Sequence, residues 1–394
     1  MKLGFALRRT FTFSLFIVRS FLDLLFYLFW LLLDPSKFKK IKLEKIKNLL
    51  VIYGGSIGDV YNAIGIMNSV ASNHPNIQVH FLTLEKNRKF VKNPKIKVVD
   101  LQQARQLMKQ KKFDAVVLLQ GIIYKPLLFT PKMYLEILNI PYRVACDNLH
   151  IGLAHKQIMP LLTRKLLSLN SNGFQDQIDT FNFLGLKIDK PKFYYTKESE
   201  EFAKNFIRKN KISKNEKIIF LHIGGGSILA SLKEDANGCP SHLWPFERWA
   251  KVADHLIKKY NARIIFTGVN DEKQLIEKVI SKIKNKKKAI SLAGNSSIEE
   301  SASLLKRGDL IISIDTGTAH IAAQTGIPLI DLFSSFSPKN TSTIASSEKK
   351  ADIYHSEVCT NCRVYTNCPE KNNICMISIS VEEILSAADK LLKK

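Results

Sequence analysis

The stretch "DLIISIDTGTAHIAAQTGIPLIDLF" (Asp309–Phe333) reads as a strand, a tight turn, a short helix closed by a glycine, and a second strand. The apolar run ends at Asp315, and small or helix-compatible residues follow from Thr316 to Gly326. Two short apolar runs bracketing a helix predict a βαβ unit, whose parallel strands need a crossover between them.

The same alternation extends in both directions. On the N-terminal side, "EKIIFLHIGGG" runs from a strand into glycines, and "PFERWAKVADHLIKKY" is a helix with Pro245 in its first turn. "ARIIFTG" is a strand, "DEKQLIEKVISKI" and "SIEESASLLKRG" are helices, and the chain closes with the helix "SVEEILSAADKLLKK". Earlier still, "NLLVIY" (Asn48–Tyr53), "IQVHFLTL", "IKVVDL" and "FDAVVLLQ" read as strands. A helix from about Asp59 to Ser72 and the helix "QQARQLMKQKK" lie among them. That pattern ends near "YRVAC", and residues 147–190 read as connecting helices and loops. The expected architecture is α/β: two Rossmann-like parallel-sheet domains facing a cleft, at 48–190 and 191–394. The final helix is free to pack back on the N-terminal domain.

Residues 1–47 form a separate region. "TFTFSLFIVRSFLDLLFYLFWLLL" (10–33) is long enough to span a bilayer, which takes about 20 apolar residues. Arg19 and Asp23 stand four residues apart, where a helix lets them neutralise each other. Lys37, Lys39, Lys40, Lys42, Lys45 and Lys47 follow it, and the positive-inside bias places what comes after on the cytoplasmic side. The segment either spans the membrane or lies along it. The 394 residues carry 59 Lys+Arg against 35 Asp+Glu, a net charge of +24. Such a surface attracts polyanions such as anionic headgroups. No basic motif interleaved with aromatics supports nucleic-acid binding. Cys146 and Cys239 are isolated, whereas Cys359, Cys362, Cys368 and Cys375 cluster; four thiolates could hold zinc, or could simply pack.

Two turns carry the chemistry of the second half. After Asp315, the backbone N–H groups of Thr316, Gly317 and Thr318 point out of a helix N-terminus, where an anion is favoured; a plain N-cap is the alternative. "HIGGGS" (His222–Ser227) offers a second such turn through Gly225, Gly226 and Ser227. Glu272 follows a strand end, where a carboxylate accepts ribose hydroxyls; the alternative is a solvated acid at a helix start. Together these describe a pocket for a nucleoside diphosphate. In the first half, "GGSIGD" (Gly54–Asp59) brings Gly54, Gly55, Ser56 and Gly58 to a strand-to-helix turn that ends in an acid. Its glycines do not match the G-x-G-x-x-G spacing of a dinucleotide oxidoreductase, although Glu85 stands where a ribose-binding acid would.

The set "GSIGDV", "LWPFERWAKVADHL", "FTGVNDE", "LAGNSSIEESASLL" and "IDTGTAHIAAQTGIPLIDLF" resembles glycosyltransferase family 9, the lipopolysaccharide heptosyltransferases, over residues 48–392. The resemblance implies a GT-B fold and inverting transfer from a nucleotide sugar, ADP-heptose in well-known members. It implies a glycolipid acceptor at the cytoplasmic face of the inner membrane, and neither a metal nor a cofactor. By position it implies Asp59 as general base, Asp315, Thr316, Gly317 and His320 at the donor diphosphate, and Glu272 on the ribose. Where the family carries a basic residue before its Trp-Pro pair, this chain reads "CPSHLWP" after an inserted "ILASLKEDANG". His242 and Lys233 are therefore the candidates for neutralising the donor phosphate. Lys125 and Arg143 are candidate acceptor contacts in the N-terminal half.

Overall fold

The computed structural model describes residues 41–55, 57–119, 136, 137, 139–147, 164–167, 173–188, 190–225, 242–334, 337–344, 349–355, 357, 358 and 373–393. These fall into two compact units. The first is drawn from the ranges 1–55, 70–169 and 176–188, and the second from 56–69, 170–175 and 189–394.

The first unit is a six-stranded parallel sheet of β1 (Asn48–Tyr53), β2 (Gln78–Thr83), β3 (Ile96–Val99), β4 (Ala115–Leu118), β5 (Tyr142–Asp147) and β6 (Arg164–Leu167), in the order β3-β2-β1-β4-β5-β6. Helix α1 (Ile57–Asn73) lies between β1 and β2 in the chain, α2 (Leu101–Lys109) between β3 and β4, and α3 (Gly173–Asn182) follows β6. β1 is buried at Leu49, Leu50, Val51 and Ile52 alike, as expected of a central parallel strand covered on both faces. Asp100 starts α2 with a reciprocal capping box to Gln103. The sheet extends further than periodicity indicated. β6 lies within 147–190, and pairing with β5 makes a strand of residues whose pattern shows no clear alternation.

The second unit repeats the plan. Helix α4 (Lys197–Lys209) leads into β7 (Ile218–His222), α5 (Phe246–Tyr260), β8 (Arg263–Phe266), α6 (Lys273–Lys282), β9 (Ala289–Ser291), α7 (Ile298–Leu305), β10 (Leu310–Ile314), α8 (Gly317–Thr325), β11 (Leu329–Leu332), β12 (Lys350–Ile353) and α9 (Val381–Leu392). Its strand order, β12-β11-β10-β7-β8-β9, is that of the first sheet under renumbering. In both sheets the order reverses between the first and fourth strands, and ligands of open α/β sheets sit at the strand C-termini beside that switch point. α5 and α9 cover one face with a core that includes Trp244, Trp249, Leu256, Ile384 and Ala388, and α8 covers the other with Ala319, Ala322 and Ala323. α9 therefore packs on the second unit's own sheet. Its apolar residues meet β10–β12 and α5.

The segment before α9 is pinned by the Trp-Pro region. Trp244 Nε1 donates to Ile379 O at 3.1 Å and Arg248 Nη1 to the same oxygen at 2.6 Å, while Trp244 and Trp249 meet edge to face at 5.0 Å. The conspicuous tryptophans are thus internal clasps.

Among the described residues no helix is long and apolar enough to cross a membrane, and no group of His, Cys, Asp or Glu could hold a metal ion. The apolar stretch 10–33, Cys239, Cys359, Cys362 and Cys368 lie outside the described residues. Cys375 is buried, its thiol 3.7 Å from Asn373 Oδ1.

Candidate functional site

The site is built at the switch point of the second sheet. β7 ends at His222 and delivers Gly224 and Gly225; its neighbour β10 ends at Ile314 and delivers Asp315 and Thr316. The two turns touch: a Cβ on Gly225 would lie 3.1 Å from Thr316 Cγ2. Thr316 is extended, at φ −150° and ψ 171°, and starts α8 without using its side chain as a cap. Its Oγ1 is buried and has no hydrogen-bond partner among the described residues. A threonine at this position ordinarily accepts from the first-turn N–H groups. Here Ala319 N is taken by Thr316 O at 3.1 Å, while the hydroxyl and the Gly317 and Thr318 N–H groups, which have no carbonyl of their own helix to bond, stand at the positive end of a helix dipole.

Residues 56–69, the start of α1, belong to this same unit. Gly58 and Gly317 stand back to back, and a Cβ on either would come within 3.0 or 3.2 Å of the other's Cα. Both glycines are needed for this approach of two helix N-termini, so neither acts simply by leaving room for a ligand. Asp59 follows Gly58 in the first turn of α1, and its charge is felt at Asp315. Farther along α1, Tyr61 OH donates to Glu299 Oε1 at 3.3 Å and Gln324 Nε2 donates to Tyr61 O at 3.1 Å. These contacts tie α1 to α7 and α8, and no pattern in the sequence announces them.

Glu272 is not the solvated helix-start acid of the alternative reading. It is 2% exposed, and its Oε2 accepts from Val269 N at 2.8 Å. Its carboxylate occupies the places a Cβ would need on Gly224 and Gly268. The glycines at the ends of β7 and β8 thus make room for this acid. Beside it, His222 Nδ1 lies 3.0 Å from Thr267 Oγ1; burial lowers the pKa of this ring, against a smaller opposing effect of Glu272.

The two other histidines are uncharged at neutral pH. His320 is buried in α8, its ring 4.2 Å from that of Phe174, and burial helped by the Lys350 charge pushes its pKa to about 4. His242 is buried too, its Nδ1 2.9 Å from Ser334 Oγ, and burial lowers its pKa to about 4. As a neutral ring His242 offers a phosphate hydrogen bonding in place of positive charge. Arg143, offered as an acceptor contact, is fully buried in the first unit with Nη1 donating to Ile140 O at 2.7 Å, where a large acceptor does not reach. In that unit Asn87 Nδ2 donates to Gly55 O at 3.3 Å, and the Tyr53 ring occupies the space a Cβ on Gly55 would need. Gly54 is buried at the end of β1. Ser56, Lys125, Gly226, Ser227 and Lys233 lie outside the described residues.

Asp315 carries the least ordinary electrostatics of the site. Burial raises its carboxyl pKa to about 7, with Asp352 and Asp59 adding to the rise, while a hydrogen bond from Thr341 Oγ1 at 3.2 Å and the Lys350 charge oppose it. Thr318 sits half-buried in the first turn of α8.

Comparison with known proteins agrees with this geometry. The family model described as glycosyltransferase family 9 (heptosyltransferase) matches residues 181–373. Lipopolysaccharide heptosyltransferase 1 of Campylobacter coli is 23% identical over 363 residues, covering 87% of this chain and 98% of the relative. A family 9 glycosyl transferase from Veillonella parvula superposes with a TM-score of 0.65 at 17% identity, covering 90% of this chain and 98% of that one. The heptosyltransferase WaaC of E. coli, solved with ADP, gives a TM-score of 0.56 at 15% identity over 87% and 99% of the two chains. These likenesses establish the GT-B plan of two parallel-sheet units. The chain is a glycosyltransferase, and its residues 181–373 match the family 9 model.

Proposed function

We propose that the chain moves a heptose from ADP-heptose onto a lipopolysaccharide-core or related glycolipid acceptor, with inversion at the anomeric carbon. The observation that carries this reading is the N-terminus of α8, where the Thr316 hydroxyl has no partner among the described residues and the first-turn amides lack a side-chain cap. A diphosphate leaving group placed there is stabilised by preorganised donors and the helix dipole. Support for adenine and heptose comes from the relatives' names and from the relative solved with ADP. Glu272, at the ends of β7 and β8, accepts the ribose hydroxyls, and Gly225 brings the backbone close to the diphosphate. Asp59 takes the proton of the attacking acceptor hydroxyl, which needs only a carboxylate within hydrogen-bond reach. The protein works at the cytoplasmic face of the inner membrane, held there by the apolar stretch 10–33 and the lysines behind it.

A thermal-shift panel of ADP-, GDP- and UDP-sugars tests the donor. Stabilisation by ADP-heptose, growing with concentration as binding to the folded state requires, is the expected outcome. A response to a GDP- or UDP-sugar alone overturns the adenine assignment.

A further inference from the structure

Behind the N-terminus of α8 three carboxyl groups stand on neighbouring strands. Parallel register sets Asp331 of β11 opposite Asp352 of β12 and Ser313 of β10 opposite Asp331. Asp315 follows Ser313 by two residues and so continues the same face. Their surroundings are unequal. Asp352 has Lys350 Nζ at 3.1 Å and accepts from Ser342 Oγ at 2.7 Å. Asp315 accepts from Thr341 at 3.2 Å. Asp331 is fully buried, and neither of its oxygens has a hydrogen-bond partner among the described residues. An ionised carboxylate left bare in the interior costs several kcal/mol, whereas the neutral acid costs far less.

Among the described residues the groups that act on this pair are Asp352 and Lys350 from β12, Asp59 from α1 and Thr341 from the turn at Pro338–Thr341, and His320 of α8 feels the same Lys350. His320 is neutral, so among the described residues one lysine acts on a group of four carboxyls. A nucleotide sugar brings a doubly negative diphosphate to the α8 N-terminus beside them. Like charges so close in a low-dielectric site cannot all remain ionised.

We propose that donor binding is coupled to proton uptake at this carboxyl pair: Asp331 is a neutral acid throughout, and Asp315 accepts one proton from solvent as the diphosphate settles on α8. The coupling rests on the donor-site reading above. No bond is made or broken other than the new O–H on Asp315, and the site gains one positive charge to set against the two negative charges of the ligand. The linkage has a physical consequence: above the resting pKa of Asp315, near 7, donor affinity falls about tenfold per pH unit.

Two measurements on the full chain test it. Infrared difference spectra at pH 8 between wild type and Asp331→Asn should show the carbonyl stretch of a buried neutral carboxylic acid that the variant lacks; no such band overturns the neutral Asp331. Calorimetric titration with ADP-heptose, whose diphosphate does not titrate near neutrality, is run at pH 8 in buffers of different ionisation heat. Uptake approaching one proton per ligand is expected. Asp315→Asn should abolish it and flatten the pH dependence. Thr341→Val, which removes the bond favouring the charged form, should move the half-uptake point to higher pH and serves if Asp315→Asn does not fold. Binding heats that are the same in every buffer overturn the coupling. Absence of binding with the infrared band intact counts against the donor site itself, and the coupling falls with it.

Discussion

Asp59 and the pair Gly58/Gly317 are the residues on which the site turns. A carboxylate in the first turn of a helix is stabilised by the helix dipole, and one close to Asp315 adds negative charge where another is already disfavoured. That arrangement needs a function to explain it, and proton removal is one. Asp59→Asn should leave folding nearly unchanged and donor binding in place, with any change in affinity coming through Asp315, and remove transfer; turnover above roughly a tenth of wild type would refute the base. The glycine pair predicts differently. With 3.0 Å to a backbone atom, an added methyl has no flexible neighbour to displace. Gly58→Ala and Gly317→Ala should each destabilise the second unit by about 1–3 kcal/mol, and the double variant should cost less than their sum. Denaturant titration of the three proteins checks this, and simple additivity would show that the two methyls do not meet.

Helix α8 is the element whose two ends are treated most unequally. Its C-terminus is closed by Gly326 at φ +80°, a left-handed closure that glycine adopts without strain. Its N-terminus has a threonine in the capping position that does not cap. A working cap is worth about 1 kcal/mol of stability. Thr316→Val should therefore leave the ligand-free melting temperature nearly unchanged and weaken nucleotide-sugar binding by about tenfold to a hundredfold, the worth of one hydrogen bond to a charged group. A clear loss of stability with unchanged affinity would make Thr316 a structural cap. The glycines after β7 and β8 explain Glu272 in the same way: an acid beside Gly224 and Gly268 is readable only once the strand ends are neighbours.

For the molecule as a whole, the two units respond to acid through different groups. In the first, His80 is buried on β2, edge-on to Phe113 at 5.2 Å, and burial with the nearby Lys97 lowers its pKa to about 4. The unfolded ring titrates near 6.5, so unfolding takes up a proton between these values. The stability His80 contributes is whole above about 6.5 and is lost as the pH falls toward 4. A His80→Gln variant should show a shallower fall in urea midpoint between pH 7 and 5; an unchanged slope would refute the assignment. In the second unit Asp315 and Asp331 have the opposite sign, because raised carboxyl groups lose stabilisation as the pH rises.

The parallel α/β plan, the glycine turns and the acids at strand ends were all legible from local pattern. Strand burial on both faces, helix periodicity and turn chemistry are short-range properties that a linear chain displays. β6 and the docking of α9 were not, because a strand is defined by its neighbour and an apolar stripe does not name the surface it covers. The neutral His242, the buried Arg143, the contact of Gly58 with Gly317 and the unpartnered Asp331 belong to the same class. Charge state, burial and backbone approach depend on residues far apart in the chain, and only folding brings them within a few ångströms of one another.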